Sequence, residues 1–375
     1  MDFNFTDEQT MLRESVGRYL GDTYSFDARM KTVDSEAGWN AALWRAFAEE
    51  LGILGAPFSE AHGGLGGGAV ENMIVMEEIG KALVIEPYLQ TVVIGGGFLK
   101  AAGGPLADAV IPQIIDGSVV IAFAYAEPPG RYNLADLRTA ARADGTGYVL
   151  NGHKSVVYAA PWATHLIITA RTGGSQREAG GVSVFLLPVD APGITRRDYP
   201  TVDGARASEV YLENVAVGAE TLIGAAGEGL ALVEQVVDEA IAALCAEAAG
   251  VTRKLHEATL DYARQRKQFG KAIGEFQVLQ HRMVDMFMEV EQAVSMTLMS
   301  TLRLADADRA KHVSAAKIKI ARACRFVGQN AVQIHGGIGI SNELAVGHYF
   351  KRATMIEGQF GSADFHLERY ESLMD

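Results

Sequence analysis

The run Arg264-Gln265-Arg266-Lys267-Gln268-Phe269-Gly270-Lys271 puts charge, an amide and an aromatic ring directly after a long apolar stripe. A guanidinium offers bidentate, permanently charged hydrogen bonds that match a pyrophosphate, so Arg266 is a candidate diphosphate ligand; the competing reading is a solvated surface arginine. A second run is Gln333-Ile334-His335-Gly336-Gly337-Ile338-Gly339. Its glycines let backbone N–H groups approach a phosphate or an adenine edge without a Cβ in the way, though the same turn would serve as a plain helix connection. The third feature is a lone carboxylate, Glu247, on the apolar run Ala240 to Val251. A carboxylate in that setting is suited to general-base work, and a buried glutamate paired with an arginine would give the same pattern. Asp238 and Glu239 fall one or two residues off the stripe and are expected to be solvated or capping charges. No Ser-His-Asp series or metal-ligand spacing competes, since His335, His348 and His366 are too scattered to read as ligands.

Helices must carry these groups. Val233, Val236, Val237, Ala240, Ile241, Leu244, Val251, Leu255, Ala258 and Tyr262 recur at helical spacing. They predict one helix of roughly fifty Å, at about 1.5 Å per residue, of the kind found in bundles and subunit interfaces. From Thr6 to about Ile115 the period is also helical: Thr6 as N-cap with Gln9 three residues on, then Met11, Leu12, Val16, Tyr19 and Leu20, then Trp44, Phe47 and Leu51, then Met73, Val75, Met76 and Ile79. The Gly-rich His62 to Gly68 reads as a helix connection, because it neither follows a strand nor ends in Lys-Ser/Thr.

Between the helical stretches the texture changes to short apolar runs: Val119 to Tyr125, Tyr148 to Leu150, Ser155 to Tyr158, His165 to Ala170, Val182 to Leu187 and Glu209 to Leu212. Asn151-Gly152 is a hairpin cue, and Pro128-Pro129-Gly130, Gly173-Gly174 and Pro192-Gly193 mark further turns. The fold class is therefore α+β: an N-terminal α-helical domain (residues 1–118), a middle antiparallel β-domain (119–226) and a C-terminal four-helix bundle (227–375).

With 33 basic against 46 acidic residues and a net charge of −13, the average surface argues against nucleic acid or an anionic membrane as main partner. Local cations can still hold an anionic ligand. Hydrophobic residues make up 49% of the chain, ample for two or three packed domains. Cys245 and Cys324 lie in Ala-rich helical stretches and form neither a disulfide framework nor a metal set. The N-terminal segment lacks the basic and apolar regions of a signal peptide and no run approaches a bilayer span, so the chain is expected to be cytoplasmic.

The Arg266-Lys267-Gln268-Phe269-Gly270 segment, with Ile273, Phe276-Gln277 and His281 after it, resembles the Arg-x-Gln-Phe-Gly signature of acyl-CoA dehydrogenases. The Gln333 to Gly339 segment does so too, and the resemblance runs from Thr6-Asp7-Glu8-Gln9 to Val346–Arg352. More narrowly, Arg131–Asp136 and Val237–Glu247 resemble the small subunit of pimeloyl-CoA dehydrogenase. The resemblance implies the acyl-CoA dehydrogenase fold, FAD as cofactor, and oxidation of an acyl-CoA thioester to the 2,3-enoyl-CoA, with a dicarboxylyl-CoA such as pimeloyl-CoA as the narrower expectation. It implies an electron-transfer flavoprotein as electron acceptor, and a homotetramer or a hetero-oligomer with a homologous larger subunit. It places Arg266 on the FAD pyrophosphate across a subunit interface, Gln268 as a hydrogen-bond partner, Phe269 beside the adenine, and Gln333, Gly336 and Gly337 at the phosphate or adenine edge. On the β-domain it places Tyr125, Glu127, Val156 and Tyr158 beside the flavin ring.

Several positions depart from the family pattern. The usual Thr-Glu-Pro-Gly-x-Gly-Ser-Asp reads Tyr125-Ala126-Glu127-Pro128-Pro129-Gly130-Arg131, and Val156-Val157-Tyr158 replaces Trp-Ile-Thr. The usual catalytic glutamate, just before Gly-Ser, is Phe360, and the alternative position on the long helix is Ala240. Glu247 is then the candidate base. Three readings follow: a catalytic dehydrogenase using Glu247 or another displaced carboxylate as base, a non-catalytic subunit completing the flavin site of a heteromer, and an acyl-CoA oxidase.

Overall fold

The structure, a computed structural model, describes residues 4–128 and 130–374; Pro129 of the expected turn lies outside the described residues. Helices α1 (Asp7–Thr23), α2 (Phe26–Val33), α3 (Ala41–Glu49), α4 (Ala69–Ala82), α5 (Gly96–Ala102) and α6 (Gly104–Ile115) come first. Eight strands follow: β1 (Ile121–Ala124), β2 (Ala140–Asp144), β3 (Gly147–Tyr158), β4 (His165–Arg171), β5 (Val182–Pro188), β6 (Ile194–Pro200), β7 (Arg206–Gly218) and β8 (Leu222–Ile223). The long α7 (Gly229–Gln265) then leads through the two-residue strands β9 (Lys267–Gln268) and β10 (Lys271–Ala272) to α8 (Gln277–Leu302), α9 (Arg309–His335), α10 (Ala345–Gly358) and α11 (Ala363–Ser372). The α–β–α order predicted from periodicity is the order of the fold. No helix of the described residues is long and apolar enough to cross a membrane.

The chain divides into two compact units, Thr32–Gly68 with Ile85–Ala240, and Met1–Lys31 with Ala69–Val84 and Ile241–Asp375. The first is built on an eight-stranded sheet in the order β6-β7-β3-β2-β4-β5-β8, with β1 added to β4. Leu150, Val157, Leu166, Ile168, Phe185, Leu187, Val210 and Val215 form its buried core. Two expectations are corrected here. The sheet is not wholly antiparallel, because β1 pairs with β4 in parallel from Ile121↔His165 to Ala124↔Ile168. Asn151-Gly152 is not a hairpin: β3 runs through it with a register shift against β7 between Leu150 and Gly152. Asn151 and Asn214 bond to each other across that irregularity, and a Cβ on Gly152 would collide with Thr139, so both residues serve a bulge. The tight turn lies one strand earlier, where Asp144 pairs with Gly147 around Gly145 at φ 60°.

In the second unit Thr6 caps α1 reciprocally with Gln9 (3.2 and 3.1 Å). α9 buries Val313, Ala316, Ile320, Ala323, Val327 and Ala331 at helical spacing and packs on α8, α10 and α11. α7 has 37 residues, about 55 Å at about 1.5 Å each. Where it crosses α4 the backbones touch: a Cβ on Gly80 would collide with Glu247 O, and one on Gly250 with Glu77 O. From 240 to 252 every residue of α7 is buried. Asp238, expected to be solvated, is instead 1% exposed, while Glu239 beside it is half-buried and Glu234 one turn earlier is exposed.

Candidate functional site

At the end of α7 the chain turns sharply into the β9–β10 hairpin. Arg266 N–H donates to Tyr262 O and its own carbonyl accepts from Ile273 N–H, both at 2.8 Å, so its backbone is fixed while its side chain stays exposed. The turn uses left-handed backbone at Phe269 (φ 53°) and Gly270 (φ 84°). Phe269 is 92% exposed, touching Phe276 edge-on at 6.2 Å, with the Lys271 ammonium 4.4 Å from the Phe276 ring centre. Gln268 is exposed beside it and donates to Lys267 O at 2.8 Å.

A second arm closes α9. Gly336 (φ 65°) ends the helix, and the chain turns through Gly336–Ile340. A Cβ on Gly336 or Gly337 would meet nothing within 4 Å, so open space lies over the turn, with Gln333 exposed at its edge. Tyr262 and His335 stack at 4.3 Å and 25°, which sets the two arms side by side. Neither residue was singled out as a site residue from sequence, because the contact joins positions 73 apart (335 − 262).

Glu247 lies in the same unit but is fully engaged. It is 4% exposed and both carboxylate oxygens accept from Arg352, Nε at 2.5 Å and Nη2 at 2.6 Å. Of the two sequence readings, this geometry is that of the arginine-paired carboxylate. Phe360 is 8% exposed with left-handed backbone (φ 57°), a conformation that costs a bulky residue roughly 1–2 kcal/mol. The surroundings hold it there. The buried Lys317 ammonium donates to Ile356 O (2.5 Å) and Glu357 O (3.2 Å), while His366 Nε2–H donates to Phe360 O at 3.1 Å.

Burial first, and then the Lys317 charge, push the His366 imidazole down to about 3 from its ordinary 6.5, with the Phe360 carbonyl acting in the opposite direction. Between those values the unfolded chain binds a proton that the folded chain refuses. Stability from this group is therefore full above about pH 6.5 and declines as pH falls toward about 3. His366→Gln, which keeps a donor for Phe360 O, is expected to flatten that decline by a few kcal/mol, read from melts at about pH 7 and about pH 4.5. An unchanged pH dependence would show that His366 is not the titrating group.

The β-domain positions lie in the other unit. Glu127 is 5% exposed; its oxygens accept from Lys154 Nζ (2.7 Å), Arg138 N–H (2.7 Å) and Thr139 N–H (3.1 Å). Burial alone would raise the Glu127 pKa, but the Lys154 charge and these hydrogen bonds hold it below the usual carboxylate value. Lys154 is pushed down to about 8 by burial, with Glu127 opposing. The Glu127 side chain thus pins its own loop, and what this segment can offer a ligand is backbone. Val156 sits 43% exposed on the β3 irregularity with φ 51°, a strained position for a β-branched residue. Burial foremost, and then the neighbouring Tyr158 and Tyr132, raise the Tyr125 phenol. Arg171, which gave no sequence signal, donates to the carbonyls of Ala135, Gly173, Gln176, Glu178 and Gly180 and so ties the 130–138 and 173–181 loops together.

Among the described residues, the one group with metal-ligand geometry is Asp306, Asp308 and His312; its members pair with Arg303 and with each other. An exposed arginine, an outward phenylalanine and a turn with open space suit a diphosphate and an adenine ring, so the two arms fit FAD.

Comparison with known proteins identifies the family. The acyl-CoA dehydrogenase N-terminal domain family matches residues 6–117, the middle domain 122–215 and the C-terminal domain 227–371. A relative named probable acyl-CoA dehydrogenase YngJ, from Bacillus subtilis, is 30% identical over 97% of both chains. Among solved structures, the ChsE4–ChsE5 complex from Mycobacterium tuberculosis is 25% identical with a TM-score of 0.90, covering 99% of this chain and 98% of that one. The FAD complex of PigA is 26% identical with a TM-score of 0.91, covering 99% and 98%.

Proposed function

The chain belongs to the acyl-CoA dehydrogenase family, oxidoreductases that carry FAD and act on the CH–CH bond of acyl-CoA thioesters, and from that premise we propose that it is the smaller, flavin-site-completing subunit of a heteromeric dehydrogenase. The observation that carries this reading is the fate of the two candidate base positions. A phenyl ring stands at 360, and Glu247, the carboxylate between Ala240 and Val251 on α7, gives both oxygens to Arg352. Removing an α-proton needs a carboxylate within hydrogen-bond reach that is free to accept it.

When bound, FAD accepts the β-hydrogen of the thioester as hydride. This chain's part is to bind. Arg266 holds the diphosphate, Gln268 adds a hydrogen bond, Phe269 covers the adenine, and the backbone of Gly336 and Gly337 beside Gln333 receives the nucleotide edge. The homologous partner supplies the base, and electrons leave to an electron-transfer flavoprotein. An acyl-CoA, with a dicarboxylyl-CoA such as pimeloyl-CoA as the finer assignment, is the substrate of the assembly, in a cytoplasmic setting consistent with two free, buried cysteines. That a solved relative is a complex of two named chains supports the two-chain reading.

The second reading is a self-sufficient homotetramer in which Glu247 is the base, favoured by its burial on α7. Expression alone and with a homologous larger subunit, followed by mass and FAD content, separates the two. The heteromer reading expects a mixed assembly that retains FAD and a lone chain that does not. A homotetramer of this chain saturated with FAD would show that no partner is required.

A further inference from the structure

We propose that His335 is a positioning residue that couples the Arg266 hairpin to the Gln333–Gly337 turn, so that the chain presents both arms as one clasp; this rests on the reading of those arms as FAD contacts. His335 ends α9 and is 5% exposed, although Gly336 directly after it and Gln333 two residues before it are exposed. Its Nδ1–H donates to Ala331 O at 2.8 Å, one turn back, and a carbonyl partner fixes the proton on Nδ1. Burial holds the imidazole below its ordinary pKa, so the ring is neutral around pH 7. One face lies 4.3 Å from Tyr262, and the Tyr262 carbonyl accepts the Arg266 N–H at 2.8 Å. The path from turn to hairpin is therefore one ring stack and one backbone hydrogen bond.

The returning chain closes the other side. A Cβ on Gly339 would stand 2.8 Å from His335 Cβ and 3.1 Å from Val332 O, so the glycine turn is folded tightly back on this residue. A flat, neutral ring that also donates to its own helix satisfies all three neighbours. Alanine would leave Tyr262 without its stacking partner and free the hairpin to move against the turn.

The test is FAD affinity of the assembled protein, stripped of flavin and titrated by flavin fluorescence, for wild type, His335→Ala, His335→Phe, Tyr262→Leu and Arg266→Ala. An aromatic pair is worth about threefold to tenfold in an equilibrium constant, and His335→Ala and Tyr262→Leu are expected to weaken FAD by that much with assembly mass unchanged. His335→Phe restores the stack without the Nδ1 donor and is expected to bind within about twofold of wild type. His335→Phe as weak as His335→Ala would overturn the proposal, as a simple helix-end role for Nδ1 would give that result. So would wild-type affinity in His335→Ala while Arg266→Ala loses FAD. If Arg266→Ala also binds normally, the FAD reading of the arms is what fails. Should His335→Ala not fold, Tyr262→Leu and His335→Phe decide by the same outcomes.

Discussion

Replacing Arg352 with methionine is expected to lower the stability of the folded chain by about 3–5 kcal/mol, among the largest effects a single change can produce. The substitution keeps most of the side-chain volume and removes both donors from Glu247, leaving a carboxylate 4% exposed with its main counter-charge gone. A buried ion pair adds little over an apolar pair of the same shape, but breaking it from one side leaves the full desolvation cost of the remaining charge. Adding Glu247→Gln to Arg352→Met should therefore recover part of the loss, since an amide is cheaper to bury than an unpaired charge. Denaturant unfolding of the three proteins checks this. A loss below about 1 kcal/mol for Arg352→Met would mean that the pair behaves as a solvated surface bridge, and the argument that Glu247 is held as a structural carboxylate would fall.

The second large effect is on cofactor binding. Arg266→Ala is expected to weaken FAD in the assembled protein by about tenfold to a hundredfold, the scale of a lost charge-assisted, bidentate contact. Helical content and melting temperature should change little, because the Arg266 side chain is exposed and its two fixing hydrogen bonds are made by the backbone. Flavin-to-protein ratio after gel filtration reads the first effect and far-UV circular dichroism the second. Stoichiometric FAD on the variant would remove Arg266 from the site.

Features that depend on local order were legible in the sequence. Period alone located α7 and the helical ends of the chain, and the Thr6–Gln9 cap forms as its spacing predicts. Strands without an apolar signature were missed. β2, Ala140–Asp144, has an alanine-rich composition of low strand propensity, and β6, Ile194–Pro200, is mostly exposed at the sheet edge. The Asn151-Gly152 pair misled because a bulge and a tight turn draw on the same residues.

Partners distant in sequence were the other blind spot. Glu247 stands out as a charge on an apolar face, but the sequence leaves open whether it is paired or free; Arg352, 105 residues away, settles the contact only in three dimensions. The same holds for Lys154 with Glu127, where a lysine inside a strand gives no sign that it is wholly buried. For the arms, the motifs were visible and the Tyr262–His335 contact that sets them together was not.

The central claim is that the base for α-proton removal does not come from this chain, and anaerobic flavin reduction by acyl-CoA tests it most directly. The measurement compares the wild-type two-chain assembly with one carrying Glu247→Gln in this subunit, at matched FAD occupancy. If the carboxylate only pairs with Arg352, the variant melts at a lower temperature yet reduces flavin within about threefold of the wild-type rate. A rate lower by about a hundredfold or more, with FAD bound and the assembly intact, would make Glu247 the base and contradict the account.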